Sequence, residues 1–287
     1  KGTTDPAAIR SMVDEAAKQA NSPEADEARR MIGEQLAYAI DDLNARFGGK
    51  RTVPRVEMID EAKHDAYLDD EGKTYWASPQ ARNIPDTAYH NMAHPYIDET
   101  AKLVRSGQPG AIFESYADIL ATLIKQKRTN TTAETGDWVF APGAAAWAAN
   151  EDVAKSRDRT PLRSLKNPGE AFKNHPVLGT DAQPDKMSEL YQGDFDSGGI
   201  HINSGIPSKA FYQVAMVIGT ERAGTIWLDG LKLLLPESDF GDLATCTMQA
   251  AGAKFGTESK EQKAVRLAWE SVGVIASPAG ANSGGSK

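Results

Sequence analysis

Apolar residues recur at helical spacing through most of this 287-residue chain and alternate with polar ones over only one short stretch. Met31, Ile32, Leu36, Ala39, Ile40 and Leu43 fall on one face of a helix. Ser22-Pro23 opens it and Gly48-Gly49 ends it. An earlier helix is expected from Asp5-Pro6. Residues 52–78 predict short strands: Val53, Val56 and Met58 alternate, and Asp70-Glu71-Gly72 reads as a turn. Helical patterning resumes at Pro85-Asp86 and runs to about Val104, breaks over Ser106–Gly110, and continues from Ala111 to Lys127. Four more helices are expected: Ala210–Ile218, Ala223–Leu235, Phe240–Phe255 and Lys260–Val272.

Between them, residues 128–207 are rich in Gly, Pro, Asn and Asp. A long irregular stretch inside a compact domain usually carries function. Its Trp138, Phe140, Trp147, Leu162, Leu165, Phe172 and Leu178 demand burial. The tail from Ser277 is small and polar and is expected to play no part in chemistry. Three regions follow: 1–107, 108–275 and a flexible 276–287.

Composition adds limits. The chain is 40% hydrophobic and 25% charged, as in soluble globular proteins. Its net charge of −8 argues against nucleic acid as a partner, since phosphate binding draws on Lys and Arg. No apolar run is long enough for a membrane span. The single cysteine, Cys246, rules out an internal disulfide and is expected to be a small buried residue within a helix, Leu243–Ala253.

Candidate chemistry centres on His90-Asn91-Met92-Ala93-His94. Histidines four apart on a helix share a face and can grip one metal; alone, they could equally be an idle surface pair. Glu114, twenty residues after His94, opens the next helix after the Gly/Pro break. Two histidines and a carboxylate leave a fourth zinc position open, as catalytic sites do. Asp118, one turn beyond, is placed to accept a hydrogen bond from a ligating histidine.

This spacing resembles the thermolysin family of zinc endopeptidases. A second block carries the likeness further: Asp196-Ser197-Gly198-Gly199-Ile200-His201-Ile202-Asn203-Ser204-Gly205-Ile206 is similar to the family's Asp-Asn-Gly-Gly-Val-His-x-Asn-Ser-Gly-Ile signature. The resemblance spans about residues 24–275 and is weakest before residue 80. It implies an α+β, two-lobed fold with a reduced β-containing N-terminal lobe, a helical C-terminal lobe and a zinc cleft between them. It implies that His90, His94 and Glu114 bind zinc, that Asp118 orients His90, and that His201, held by Asp196, stabilises the oxyanion. Arg163 would bind a substrate carbonyl, Asp65-Ala66 would pair with substrate backbone as an edge strand, and Leu162 would line an apolar pocket. Peptides or proteins would be the substrates. A secreted or periplasmic location is favoured by the same resemblance.

The chain departs from the family in several places. The motif's general base is a glutamate, and here that position is Asn91, which cannot take up and deliver a proton. A tyrosine that donates to the oxyanion is replaced by Arg105. Asp86 and Asp137 match family calcium ligands, but Lys125 and Val139 stand where further acids are needed, so calcium is expected to be absent, with Lys125 neutralising the remaining carboxylates. Two principal readings remain: a zinc endopeptidase whose general base has been replaced, or a natural pseudopeptidase that binds zinc and peptide without turnover. A helical protein with a structural metal, or none, is the third.

Overall fold

The computed structural model describes residues 22–59, 66–149 and 151–277. The helix expected from Asp5-Pro6, the candidate Asp65 and most of the C-terminal tail lie outside these.

The first helix, α1, spans Pro23–Phe47. The Ser22 side chain accepts from the Ala25 N–H, Pro23 fills the first turn, and Gly48 closes the end at φ 68. Ile32, Leu36, Ala39, Ile40 and Leu43 are buried, as the spacing predicts, while Met31 is only half-buried. Three short strands follow: β1 (Arg55–Met58), β2 (Ala66–Leu68) and β3 (Thr74–Ala77). They form a sheet in the order β1-β3-β2, with β1 parallel and β2 antiparallel to β3. Asp69 fixes the β2–β3 turn: its carboxylate accepts from the N–H groups of Lys73 and Thr74 at 2.8 and 2.9 Å. Those bonds hold the exposed carboxyl below its usual pKa.

Helix α2 spans Pro85–Ala101 and α3 spans Gly107–Thr129. Helix α2 ends before Val104 because Lys102 turns left-handed at φ 50 and its N–H returns to the Asp98 carbonyl at 3.1 Å. Helix α3 starts four residues ahead of Ala111, and Asn130 caps its far end at φ 52. The irregular stretch contains β4 (Val139–Phe140), the short α4 (Ala144–Ala148) and β5 (Arg163–Ser164), with β4 and β5 antiparallel. Trp138, Phe140, Trp147 and Leu165 are buried; Leu162, Phe172 and Leu178 are half-buried.

The C-terminal helices are α5 (Phe195–Asn203), α6 (Gly205–Ile218), α7 (Thr220–Leu231), α8 (Phe240–Phe255) and α9 (Lys260–Ser271). Helix α7 stops four residues short of Leu235, which is 71% exposed, although Leu234 beside it is still buried. The core of this part stacks Trp227 on Trp269 with ring centroids 5.9 Å apart and sets Phe211 edge-on to Trp227. Two polar ends are satisfied, the Tyr116 hydroxyl donating to the Trp227 carbonyl and the Trp269 indole to Thr247, while the buried Trp227 indole N–H finds no partner among the described residues. Cys246 lies on α8 as expected but is half-buried rather than buried, and partial desolvation pushes its thiol pKa up.

By contacts, the chain forms two compact units. One takes the chain up to Tyr96 together with Ala141–Leu162 and Pro176–Leu178; the other takes Ile97–Phe140, Arg163–His175 and the chain from Gly179 onward. The fold is mainly helical with a small sheet.

Candidate metal centre

In the first unit, α2 places His90 and His94 one turn apart, with ring centroids 4.7 Å from each other and planes at 66°. His90 is buried and His94 half-buried. Asn91, between them in sequence, turns its amide to the sheet: Nδ2 donates to the Ala66 carbonyl at 2.7 Å and lies 3.4 Å from the Tyr75 hydroxyl. Pro95 follows His94 inside the helix and has no N–H for the Asn91 carbonyl. Leu162 is half-buried in this unit.

In the second unit, Glu114 is buried early in α3. Asp118, one turn on, is gripped by Arg163, whose Nε and Nη2 donate to its two carboxylate oxygens at 2.6 and 2.7 Å. Both partners are buried. Burial alone would lower the Arg163 pKa, but the Asp118 charge and hydrogen bonds, with Glu114 and Asp181 behind them, raise it, so the guanidinium stays cationic. Its flat face lies 4.3 Å from the Phe140 ring centre across the β4–β5 pair. Arg105, just ahead of α3, lies over the Phe113 ring at 3.2 Å from its centre.

His201 is presented by an unusual piece of backbone. Asp196, Ser197, Gly198 and Gly199 all have positive φ, between 52 and 83, so the chain makes a left-handed turn before the right-handed helix begins. Glycine permits this at 198 and 199, and at 199 a Cβ would come within 2.6 Å of the Tyr191 ring. The turn aims the Asp196 carboxylate back: Oδ2 accepts from the His201 N–H at 2.7 Å and Oδ1 meets His201 Nδ1 at 2.7 Å. The other ring nitrogen, Nε2, lies 3.4 Å from Glu114 Oε2. Burial acts against the protonated ring, but Glu114 and then Asp196 outweigh it and raise the His201 pKa above the ordinary imidazole value.

Sequence reasoning did not single out the residues that brace this loop. Gln183 donates to the His201 carbonyl and to Ser204, and Asn203 bonds both the N–H and the carbonyl of Tyr191. Gly110 allows the start of α3 to lie against Ile200, where a Cβ would come within 2.5 Å. A small residue in the first turn of an otherwise well-formed helix was the available signal.

One ligand atom each from His90, His94 and Glu114 lie within 4.8 Å of one another. Two imidazole nitrogens and a carboxylate oxygen are the donor set of an open zinc site. The residues present fit the metal.

A mainly helical fold with a helix-borne histidine pair, a carboxylate one helix later and a braced histidine fits the thermolysin metallopeptidase family. The chain belongs to that family: the model of the thermolysin metallopeptidase alpha-helical domain matches residues 101–274. It is 36% identical over 194 residues to an extracellular metalloprotease of Pectobacterium carotovorum, covering 66% of this chain and 53% of that protein. It is 32% identical over 220 residues to a thermolysin of Alicyclobacillus acidocaldarius, covering 72% of this chain and 36% of the other. The chain thus spans about half, or less, of the length of these relatives. Among solved structures, the precursor of protealysin, a metalloproteinase from Serratia proteamaculans, superposes with a TM-score of 0.74 at 28% identity, covering 89% of this chain and 81% of that one.

Proposed function

We propose that this chain is a zinc endopeptidase scaffold acting on extended peptides, with turnover strongly impaired by Asn91. The observation that carries the reading is the convergence of His90, His94 and Glu114 on one point. Zinc bound there would lower the pKa of a coordinated water and polarise a peptide carbonyl. The chain's own residues supply the rest. Asp196 holds the His201 ring through Nδ1, and Nε2, now 3.4 Å from Glu114 Oε2, would turn to a developing oxyanion. Arg163, fixed in plane by Asp118, offers the guanidinium for a substrate carbonyl, and Arg105 brings a second cation in place of a phenol donor. Asp118 would also orient His90, although both of its oxygens already hold Arg163. Leu162 would contribute to an apolar pocket, and Ala66, with Asp65, to the strand that pairs with substrate.

The missing part is a proton carrier. A general base typically contributes about 10² to 10⁴ in rate. An amide at position 91 has no basic lone pair near neutral pH, and this one already spends its N–H on the Ala66 carbonyl. The loss of the proton carrier also favours a second reading, a pseudopeptidase that keeps zinc and peptide binding without hydrolysis. In either case the reading includes replacement of calcium by lysine, which is supported by the Lys125 ammonium bonding Asp137 at 2.8 Å and the Val139 carbonyl. Relatives named as extracellular support a secreted or periplasmic setting, and no helix among the described residues is long and apolar enough to cross a membrane.

The deciding experiment measures bound zinc and peptide cleavage for the chain and for Asn91→Glu. Restored hydrolysis supports the disabled peptidase. Zinc binding with an inert Asn91→Glu supports the pseudopeptidase. Absence of zinc from both sinks the proposal.

A further inference from the structure

Strand β2 is the edge of its sheet: among the described residues only β3 pairs with it. The direction of its backbone groups follows from the ladder. The Asp69 N–H donates to the Thr74 carbonyl at 2.9 Å, which makes that opposed pair a hydrogen-bonded one. Hydrogen-bonded and non-bonded pairs alternate along antiparallel strands, so Tyr67 and Trp76 form the next bonded pair. Ala66 and Leu68, opposite Ala77 and Tyr75, therefore turn their N–H and C=O groups away from β3. An outward row of this kind is what an extended peptide captures when it adds as a strand. The Ala66 carbonyl in that row is the one that Asn91 Nδ2 reaches at 2.7 Å.

We propose that Asn91 is an autoinhibitory positioning residue whose amide caps the outward carbonyl of the β2 edge and weakens the capture of extended peptides. The inference rests on the peptide-binding reading above and deepens it: position 91 affects binding as well as proton transfer. An incoming peptide N–H meets a carbonyl that already has a donor. A carbonyl has two lone pairs, so the cap weakens strand addition without forbidding it.

The test uses a terminally blocked Gly/Leu/Ala hexapeptide carrying a fluorophore, with anisotropy read on the zinc-loaded chain. Asn91→Ala removes the cap. Asn91→Asp keeps the side chain's size but has no N–H to donate to the Ala66 carbonyl. Both variants are expected to bind the peptide about two- to tenfold more tightly, the worth of one net hydrogen bond. A set of peptides with one amide at a time replaced by an ester supplies a readout that a merely structural role would not move. In the variants, one ester should cost about two- to tenfold in affinity that it does not cost in the parent chain. Equal affinities together with equal ester penalties in parent and variants overturn the proposal while leaving peptide binding intact. Zinc-loaded chains that bind no peptide at all overturn the peptide-binding reading and this inference with it.

Discussion

Asp118→Asn should destabilise the protein far more than its size suggests. The Arg163 guanidinium is buried, makes two short bonds to Asp118 and is held cationic by it. The amide keeps the shape but removes the charge and one of the two acceptors. Breaking a buried ion pair from one side typically costs about 3–5 kcal/mol, because the remaining charge is stranded. For a chain somewhat above 150–250 residues, each kcal/mol moves Tm by roughly 2–4 °C, so a fall of about 6–20 °C is expected. Arg163→Met should cost a similar amount by taking the cation away from the buried Asp118 carboxylate. The double variant strands neither charge and should lose well under the sum, giving a coupling of at least about 2 kcal/mol. Thermal unfolding followed by circular dichroism on the four chains measures this. Effects that add to within about 0.5 kcal/mol would refute the argument that the pair acts as a unit.

Two further outcomes follow from other parts of the molecule. Gly199→Ala forces a side chain into a left-handed residue and against the Tyr191 ring, so it should destabilise by at least about 1–2 kcal/mol and weaken the Asp196–His201 bond, visible as a shift in the His201 ring NMR signals; an unchanged spectrum and Tm would count against the role given to this turn. Lys125→Asp removes the ammonium beside Asp137, so its Tm should fall in chelator and recover in part with calcium, whereas calcium should leave the parent's Tm unchanged; a calcium-dependent rise in the parent would contradict the idea that lysine has taken the ion's place.

Much of the helical framework was legible because periodicity and punctuation agree. Ser22, Pro23 and Gly48 bound α1 where their backbone preferences put them, and the Phe240–Phe255 limits hold at both ends. Boundaries failed where one residue's conformation overrode the pattern, as at Lys102. The His90/His94 pair could be read as a candidate because its members sit four apart on one helix, whereas Glu114 lies on the next helix and was suggested by the resemblance. The braces around His201 could not: Gln183 and Tyr191 reach the loop through contacts 12 to 21 residues away in the chain, with no period to announce them. Nor does the sequence reveal that Asn91 turns to Ala66, since that depends on the register of a strand only three residues long.

The left-handed run from Asp196 to Gly199 has a bearing on how the site moves. Asp196 and Ser197 each hold a backbone shape that costs about 1–2 kcal/mol relative to ordinary conformations. That strain is released when the segment lets go, so its local opening should require less free energy than opening of the helices around it. In hydrogen-exchange terms, the amides of His201 and Ile202, both bonded to Asp196, should lose protection ahead of those in the middle of α3. The histidine would then be the first part of the candidate site to let go of its partners.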